Sequence, residues 1–204
     1  MTEITPRREA TRHRLVHAAI DIFAKRGIDG TSVEQLCEAA GFTRGAFYSN
    51  FTTKDDICIA ILEHHRDVVF RTLGEVFAKP HPENAFDWAT DTGLLAFSSV
   101  IAPDENLRIT LMEIRLRSLR NPELGARAHA IESEFRPDMI AFIENLAAQL
   151  DVKLRIPVEQ VHQIYEAVFF HLNSRGTPVA DHLMRPLAIV LTEQLKDQNA
   201  DSQD

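Results

Sequence analysis

Residues 32–51 constrain the fold of this chain more than any other stretch, because they read as two short helices joined by a tight turn. Ser32 can cap the first helix through its hydroxyl, and Gln35 follows at the spacing of a capping box. The apolar residues of this helix recur with helical period: Val33, Leu36, Cys37 and Ala40. Gly41 follows them, where a helix end often needs left-handed backbone. Thr43 can then cap the second helix.

The second helix carries small residues on the face that points away from the core. At about 100° per residue, Phe47 and Phe51 share the inward face, and Gly45 and Ser49 point away from it. Ala46 and Tyr48 flank the outward pair. An ordinary surface helix carries long charged side chains there, whereas small ones let the backbone come close to base edges. This pattern predicts a helix that enters the major groove of DNA.

Side chains around the helix pair are of the types that bind DNA. Arg44, in the first turn, is long enough to reach guanine O6 and N7, and Tyr48 offers a hydroxyl to a phosphate. Thr53 can cap the following helix, with Asp56 at the third position of a capping box, and Lys54 lies in its first turn. Free N–H groups at helix N-termini suit phosphates. Any one cap is equally an ordinary structural feature, but several around one unit favour DNA.

From about residue 11 to residue 62 the chain resembles the TetR family of bacterial transcriptional regulators. The resemblance lies in AAIDIFAKRGIDGTSV, AAGFTRGAFYSNF and TKDDI. It implies a three-helix DNA-binding domain with a helix-turn-helix, over residues 1–54, and a helical ligand-binding and dimerisation domain over residues 55–204. Ser49 and Asn50 stand where members often carry His and Tyr. With the cap at Ser32, the expected DNA surface comprises Ser32, Thr43, Arg44, Gly45, Ala46, Tyr48, Ser49 and Lys54.

The distribution of charge agrees with a DNA-binding N-terminus. The net charge of −8 argues against nucleic acid at first. Residues 1–54, however, carry eight Lys and Arg against six Asp and Glu, which gives +2, and residues 55–204 give −10. Four arginines cluster near the start: Arg7, Arg8, Arg12 and Arg14. They either reach toward phosphates or form a solvated arm. The acidic remainder keeps non-specific DNA binding weak.

Nearly all of the chain has helical periodicity, so an all-α fold is predicted. The expected helices cover residues 6–25, 54–79, 83–100, 104–120, 122–149, 157–173 and 179–196, besides the short pair. Neither strand alternation nor a Gly-rich phosphate loop is evident, and the tail from residue 197 is polar. Because the helix over 54–79 begins in the DNA-binding part and ends in the body, it is the natural mechanical link between them.

The last two predicted helices carry apolar stripes wider than one core face requires. This width favours a homodimer interface in addition to the chain's own core, although a thick monomeric core is the alternative. Two recognition helices must also be spaced to read a palindrome. The predicted interface residues are Val161, Tyr165, Val168, Leu172, Leu183, Leu187, Val190 and Leu191. Pairing of these helices into a four-helix interface is also what the family resemblance implies.

A small-molecule effector is expected in the C-terminal body, but its identity is not encoded in any motif. Aromatic and soft apolar residues supply candidate pocket walls, and any one of them is equally a core residue. The candidates are Phe70, Trp88, Phe97, Met112, Phe169, Phe170 and His171. Three arginines on one helix, Arg115, Arg117 and Arg120, either meet an acidic ligand or face water.

Other classes of function have weaker support. Glu159 and His162 form one Glu-x-x-His unit, of which a di-iron bundle needs two, and the adjacent His64 and His65 point about 100° apart. We therefore expect neither an enzyme, a metal site nor a cofactor. No apolar run approaches the roughly 18 residues of a membrane span, and the N-terminus lacks a secretory signal, so a cytoplasmic location is expected.

Two alternatives remain at this point. One is a helical protein-interaction adaptor without DNA binding, although such an adaptor has no need of the small outward residues Gly45 and Ala46. The other is a redox switch between Cys37 and Cys58, which otherwise read as small buried hydrophobes in a reducing compartment. The preferred hypothesis is a homodimeric, ligand-responsive DNA-binding regulator, most often a repressor, whose palindromic operator is released when a small molecule binds.

Overall fold

The computed structural model describes residues 6–77, 104–174 and 181–194. Its elements in chain order are α1 (Pro6–Arg26), α2 (Val33–Ala40), α3 (Arg44–Tyr48), α4 (Lys54–Phe77), α5 (Glu105–Arg120), α6 (Pro122–Gln149), β1 (Val152–Leu154), α7 (Val158–Ser174), α8 (Asp181–Leu191) and β2 (Thr192–Gln194). The all-α prediction is confirmed, since helices dominate and the strands are three residues each. The helix predicted over residues 83–100 lies outside the described residues.

The described chain divides into two compact units. The first contains residues 6–69 and 104–133, and the second contains residues 70–77, 134–174 and 181–194. The first unit is larger than the predicted domain 1–54, because α5 packs along α1 and shares its core. Thr110, fully buried on α5, donates its hydroxyl proton to the Ile20 carbonyl of α1 at 2.9 Å.

The core of the first unit includes the predicted inward residues of the helix pair, together with apolar residues of α1, α4, α5 and α6. Its largest fully buried side chains include Leu15, Phe23, Leu36, Phe47, Ile57, Ile61, Ile114 and Leu124. At about 25 cal/mol per Å² of buried apolar surface, each contributes roughly 1.5–3 kcal/mol to folding. α1 ends where expected, since Gly27 follows it with a φ of 72°. Such left-handed backbone is strained for other residues.

Both cysteines are buried and free. Burial raises the pKa of Cys58 to about 12, and burial also raises the pKa of Cys37. A thiol must lose its proton to become reactive. These two side chains therefore sit as small hydrophobes in the core of the first unit.

A short antiparallel ladder in the second unit corrects the expectation that the chain has no strands. β1 pairs with β2 in the register Val152 with Gln194 and Leu154 with Thr192. Asp151, whose φ is 53°, turns the chain from α6 into β1. The helix predicted to run to residue 196 instead ends at Leu191, because β1 binds the following backbone as a strand.

Candidate nucleic-acid interface

The first helix of the predicted pair is capped as its sequence indicates. The Ser32 hydroxyl accepts from the Gln35 backbone N–H at 3.2 Å, and the Gln35 side chain accepts from the Ser32 N–H at 2.9 Å. This reciprocal capping box confirms the prediction. At the other end Gly41 adopts a φ of 68°, and the Phe42 N–H returns to the Cys37 carbonyl at 2.8 Å. These contacts fix the turn that aims α3.

The second helix, α3, is held on its inner face and left open on its outer one. Thr43 caps it, accepting from the Ala46 N–H at 3.3 Å. Phe47 is fully buried, with the Phe51 ring 5.7 Å and the Tyr48 ring 5.4 Å away between centroids. The predicted inward face is therefore confirmed. A short helix of this kind depends on such packing, because five residues do not form a stable helix alone.

The outward face of α3 carries small side chains, as the sequence predicts. Thr43, Arg44, Gly45, Tyr48 and Ser49 are exposed, whereas Ala46 is half-buried. A methyl group added at Gly45 would meet only the Thr43 hydroxyl oxygen, 3.7 Å away. The backbone of α3 is consequently open to an approaching surface at this point.

Arg44 is positioned by two neighbours on the exposed side. Its guanidinium lies 2.8 Å from the Glu34 carboxylate, in an ion pair whose side chains are 61% and 56% exposed. It also lies over the Tyr48 ring, 5.9 Å from the centroid. A hydrogen bond with Tyr48, and then the charge of Glu34, raise the pKa of Arg44. Since exposed ion pairs contribute only about 0–1 kcal/mol, Arg44 can exchange Glu34 for another acceptor.

The end of α3 is tied back to α1. Ser49 donates its hydroxyl to the Ala46 carbonyl at 2.9 Å, and its own carbonyl accepts from Arg8 at 2.8 Å. Asn50 also donates to the Ala46 carbonyl, at 2.8 Å. Polar groups of Ser49 thus take part in ending the helix, while the side chain remains exposed.

Lys54 makes contacts that the sequence does not reveal. Its ammonium donates to the Ile28 carbonyl at 2.7 Å and to the Thr31 carbonyl at 2.8 Å. Both carbonyls belong to the segment between α1 and α2. Because an ammonium has three donors, these two bonds leave one for a phosphate. Lys54 therefore secures the helix pair to α4, and its predicted DNA contact remains a prediction.

The N-terminus of α4 is capped as predicted. Asp56 accepts from the backbone N–H groups of Thr52 at 2.9 Å and Thr53 at 2.8 Å, and Thr53 accepts in return from the Asp56 N–H. Arg127 of α6 pairs with the Asp56 carboxylate at 2.8 Å. Burial alone raises the pKa of Asp56, but the hydrogen bonds from Thr53, Arg127 and Thr52 outweigh it and hold this pKa below its ordinary value.

Besides Arg8, two more of the N-terminal arginines brace the helix pair, a role that sequence reasoning missed. Arg14 donates to the Ala40 carbonyl at 3.0 Å and lies 4.5 Å from the centroid of the Phe42 ring. Arg12 pairs with Glu63 of α4 at 2.7 Å and lies over Phe51. Their spacing along α1 was the only signal in the sequence, and it does not indicate which residues they contact.

Arg117 joins α5 to the segment after α1 and to the first turn of α4. It donates to Asp55 at 2.6 Å and pairs with Asp29, while Asn121 donates to the other Asp55 oxygen at 2.8 Å. The hydrogen bond that Arg117 donates to Asp55 raises the pKa of Arg117, despite partial burial. Of the two roles left open for this arginine, ligand contact or solvation, the structure favours neither.

The predicted effector-pocket residues lie in several places. Phe70 is half-buried, 4.5 Å between centroids from the Phe135 ring, and Met112 is half-buried on α5. His171 is exposed on α7. Trp88 and Phe97 lie outside the described residues, as do the side chains of Phe169 and Phe170. The pocket therefore remains a prediction.

The predicted dimer residues divide by exposure. Val161 and Leu191 are buried within the single chain, at 2% and 7% exposure, whereas Val190 is 66% exposed. Tyr165, Val168 and Leu187 are half-buried, and burial raises the pKa of Tyr165 to about 12. The side chains of Leu172 and Leu183 lie outside the described residues. Ile189, beside Val190, is 49% exposed.

Residues 15–61 match the sequence model of bacterial regulatory proteins of the TetR family. Over 57 residues the chain is 40% identical to an uncharacterized HTH-type transcriptional regulator, YwcC, of Bacillus subtilis, which covers 28% of this chain and 26% of YwcC. Over 54 residues it is 37% identical to the HTH-type transcriptional regulator SrpR of Pseudomonas putida, and this segment covers 26% of the chain and 25% of SrpR. The match thus spans about a quarter of the length of these relatives.

The fold is shared with solved structures over most of the chain. FadR from Bacillus subtilis, solved in complex with stearoyl-CoA, has a TM-score of 0.66 at 19% identity, covering 90% of this chain and 98% of FadR. A TetR-family transcriptional regulator from Agrobacterium tumefaciens has a TM-score of 0.66 at 14% identity, and the match covers 91% of this chain and 100% of that regulator. Within the described residues, no helix combines the length and apolar character that crossing a membrane requires.

Proposed function

We propose that the chain is a member of the TetR family of bacterial regulatory proteins, whose sequence model residues 15–61 match, and that it is a transcriptional regulator that binds double-stranded DNA through α3 and responds to a small molecule. The outward face of α3 carries the proposal. Gly45 leaves the helix backbone open, and Arg44 and Tyr48 stand exposed on either side of it. A helix with this relief fits the major groove, where an arginine reads guanine.

Specific binding is expected to need Arg44 to leave Glu34. Their ion pair is exposed, so breaking it costs at most about 1 kcal/mol, whereas a bidentate contact to guanine is worth about 1–3 kcal/mol of discrimination. The exchange therefore favours DNA when a guanine lies at the right position. On a sequence without that guanine, Arg44 stays paired with Glu34 and gains no contact to a base. The affinity for such sites is therefore lower.

We infer a homodimer that binds a palindromic operator. Val190 and Ile189 form an exposed apolar patch on α8, of the kind that a partner covers. A two-fold dimer presents two copies of α3, and half-sites about one DNA turn apart, or a multiple of it, match that symmetry. The protein is proposed to work in the cytoplasm, where its DNA is found.

The proposed effector binds in residues 55–204 and shifts the position of α4. FadR was solved with stearoyl-CoA and a regulator from Saccharomonospora viridis with choline, so related folds accept chemically different ligands. For repression that is relieved by ligand, the ligand must bind the DNA-incompatible conformation more tightly than the DNA-bound one. The aromatic residues named above are the first candidates for its pocket.

Selection of bound duplexes from a random pool tests this function. The expected result is enrichment of a two-fold symmetric sequence, followed by its release when the right compound is added. If no sequence is enriched even in dilute salt, the protein does not read DNA, and the adaptor alternative gains support. Enrichment of an asymmetric single site would retain the DNA function but reject the dimer.

A further inference from the structure

Three histidines from two helices meet on the surface of the first unit. His13 and His17 are both exposed on α1, and His64 is half-buried on α4. One ring nitrogen from each lies within 4.8 Å of the other two. The ring centroids are 4.3 Å apart for His13 and His17, 5.1 Å for His13 and His64, and 5.0 Å for His17 and His64.

The spacing suits a metal ion. His13 and His17 are four residues apart, so they share one face of α1, which is the arrangement in which a helix supplies two zinc ligands. Their Nε2 atoms are 3.2 Å apart. Two nitrogens bound tetrahedrally to zinc at about 2.0–2.1 Å lie about 3.4 Å apart. The His64 nitrogen lies within 4.8 Å of the other two, so it would have to move closer by at most about 1.4 Å to reach that separation.

The surrounding charges also favour a cation. Partial burial, and then the neighbouring His13, lower the pKa of His17, against the opposing charges of Asp21 and Asp104. The two carboxylates act on His17 from α1 and from the residue that caps α5. They place negative charge close to the cluster.

We propose that His13, His17 and His64 bind one first-row transition-metal dication, with Zn²⁺ as the ion that best fits three imidazoles and an open fourth position. This site departs from the expectation that the chain has no metal site. That expectation considered His64 only together with His65, because the sequence does not indicate which residues of α1 face α4. Water would complete the tetrahedron, as in other zinc sites with three protein ligands.

A metal at this position would fasten α1 to α4. Metal that binds only the folded chain stabilises it by mass action. Because α4 also carries Lys54, which bonds to the segment between α1 and α2, a bound ion would stiffen the frame behind α3. Binding of the metal itself does not depend on the proposed DNA function, so the two ideas fail separately.

Zinc binding by the full chain, without a histidine tag, tests the site. After chelator treatment, the protein competes with a chromophoric chelator for Zn²⁺. One ion per chain is expected, with a rise in melting temperature of several degrees. His17→Ala and His64→Ala should each weaken binding more than about 100-fold, since loss of even an outer-shell partner costs 10–100-fold. His129→Ala is the matched control, because His129 is an exposed histidine outside the cluster, and it should bind as the unmodified chain does.

Co²⁺ gives a second readout that does not depend on stability. The unmodified chain should show the intense visible bands of four-coordinate cobalt, and His17→Gln and His64→Gln should lose them while keeping the same helical content by circular dichroism. If the unmodified chain binds no Zn²⁺, or if the cluster variants bind it as tightly as His129→Ala, the proposal is wrong. His13 and His17 would then be no more than a hydrogen-bonded pair.

Discussion

Replacing Gly45 with glutamine separates the DNA surface of α3 from its role in folding. The position is exposed, and an added Cβ meets only the Thr43 hydroxyl oxygen at 3.7 Å, an ordinary contact. Glycine inside a helix costs about 0.5–1 kcal/mol relative to better helix formers. Gly45→Gln should therefore stabilise the fold by about 0.5 kcal/mol, a rise in melting temperature of roughly 1–2 °C for a chain of this size.

The same substitution should impair DNA binding. Glutamine places a long side chain where the backbone of α3 is proposed to approach the bases, and it leaves the net charge unchanged. If the clash costs about 1 kcal/mol at each half-site, a dimer loses about 2 kcal/mol, or roughly 30-fold in affinity. Because the number of phosphate contacts is unaltered, the salt dependence of binding should keep its slope.

Fluorescence anisotropy with the selected duplex measures the loss of DNA affinity, and thermal unfolding measures the gain in stability. Gly74→Gln is the matched control, since Gly74 lies in α4 with nothing within 4 Å of an added Cβ. It should give a similar stabilisation and no loss of affinity. Equal affinities of Gly45→Gln and Gly74→Gln for the duplex would refute the reasoning, because a long side chain at position 45 would then meet no DNA.

Four further predictions follow from the described contacts. Arg44→Ala should weaken operator binding by about 1–3 kcal/mol and relax the preference for one base per half-site, as measured in gel shifts. The reason is that guanine offers O6 and N7 as two acceptors for the Arg44 guanidinium. Lys54→Ala should weaken binding evenly across sequences, with a shallower salt slope. It should also lower the free energy of unfolding by about 2 kcal/mol in denaturant titration, because two hydrogen bonds from its ammonium disappear. Burial, and then His64, lower the pKa of His65 from 6.5 to about 4, so its stabilisation is present above pH 6.5 and is lost as the pH falls toward 4. About 1–2 kcal/mol should disappear between pH 7 and pH 5, and His65→Leu should remove this share of the pH dependence. Finally, light scattering at micromolar concentration should give a dimer mass that Val190→Asp reduces and the exposed-site control Leu119→Asp does not. A monomer mass for the unmodified chain would contradict the dimer.

Local signals in the sequence predicted the frame of the site well. The hydroxyl caps predicted at Ser32, Thr43 and Thr53 are present, and Gly41 has the left-handed backbone predicted for it. Each involves partners within about five residues, so the pattern itself contains both halves of the interaction. The inward stripe of Phe47 and Phe51 follows from helical periodicity for the same reason.

Contacts between distant residues were not predictable in this way. The sequence places Lys54 on the expected DNA surface, but it does not indicate that the ammonium bonds to carbonyls 23 and 26 residues earlier. The ladder between β1 and β2 joins residues about 40 apart, in segments too short to show strand alternation. The approach of His64 to His13 depends on how α4 crosses α1. Such pairs are set by packing, which periodicity constrains only to a face.

A photo-crosslinker on the exposed face of α3 tests the central claim most directly. Tyr48 is 50% exposed there, and Leu119, 79% exposed on α5, offers a control position. With p-benzoylphenylalanine at either position and the selected duplex bound, we expect crosslinks to DNA from position 48 and only background from position 119. Equal crosslinking from both, or crosslinking from position 119 alone, would contradict the assignment of α3 as the DNA-reading helix.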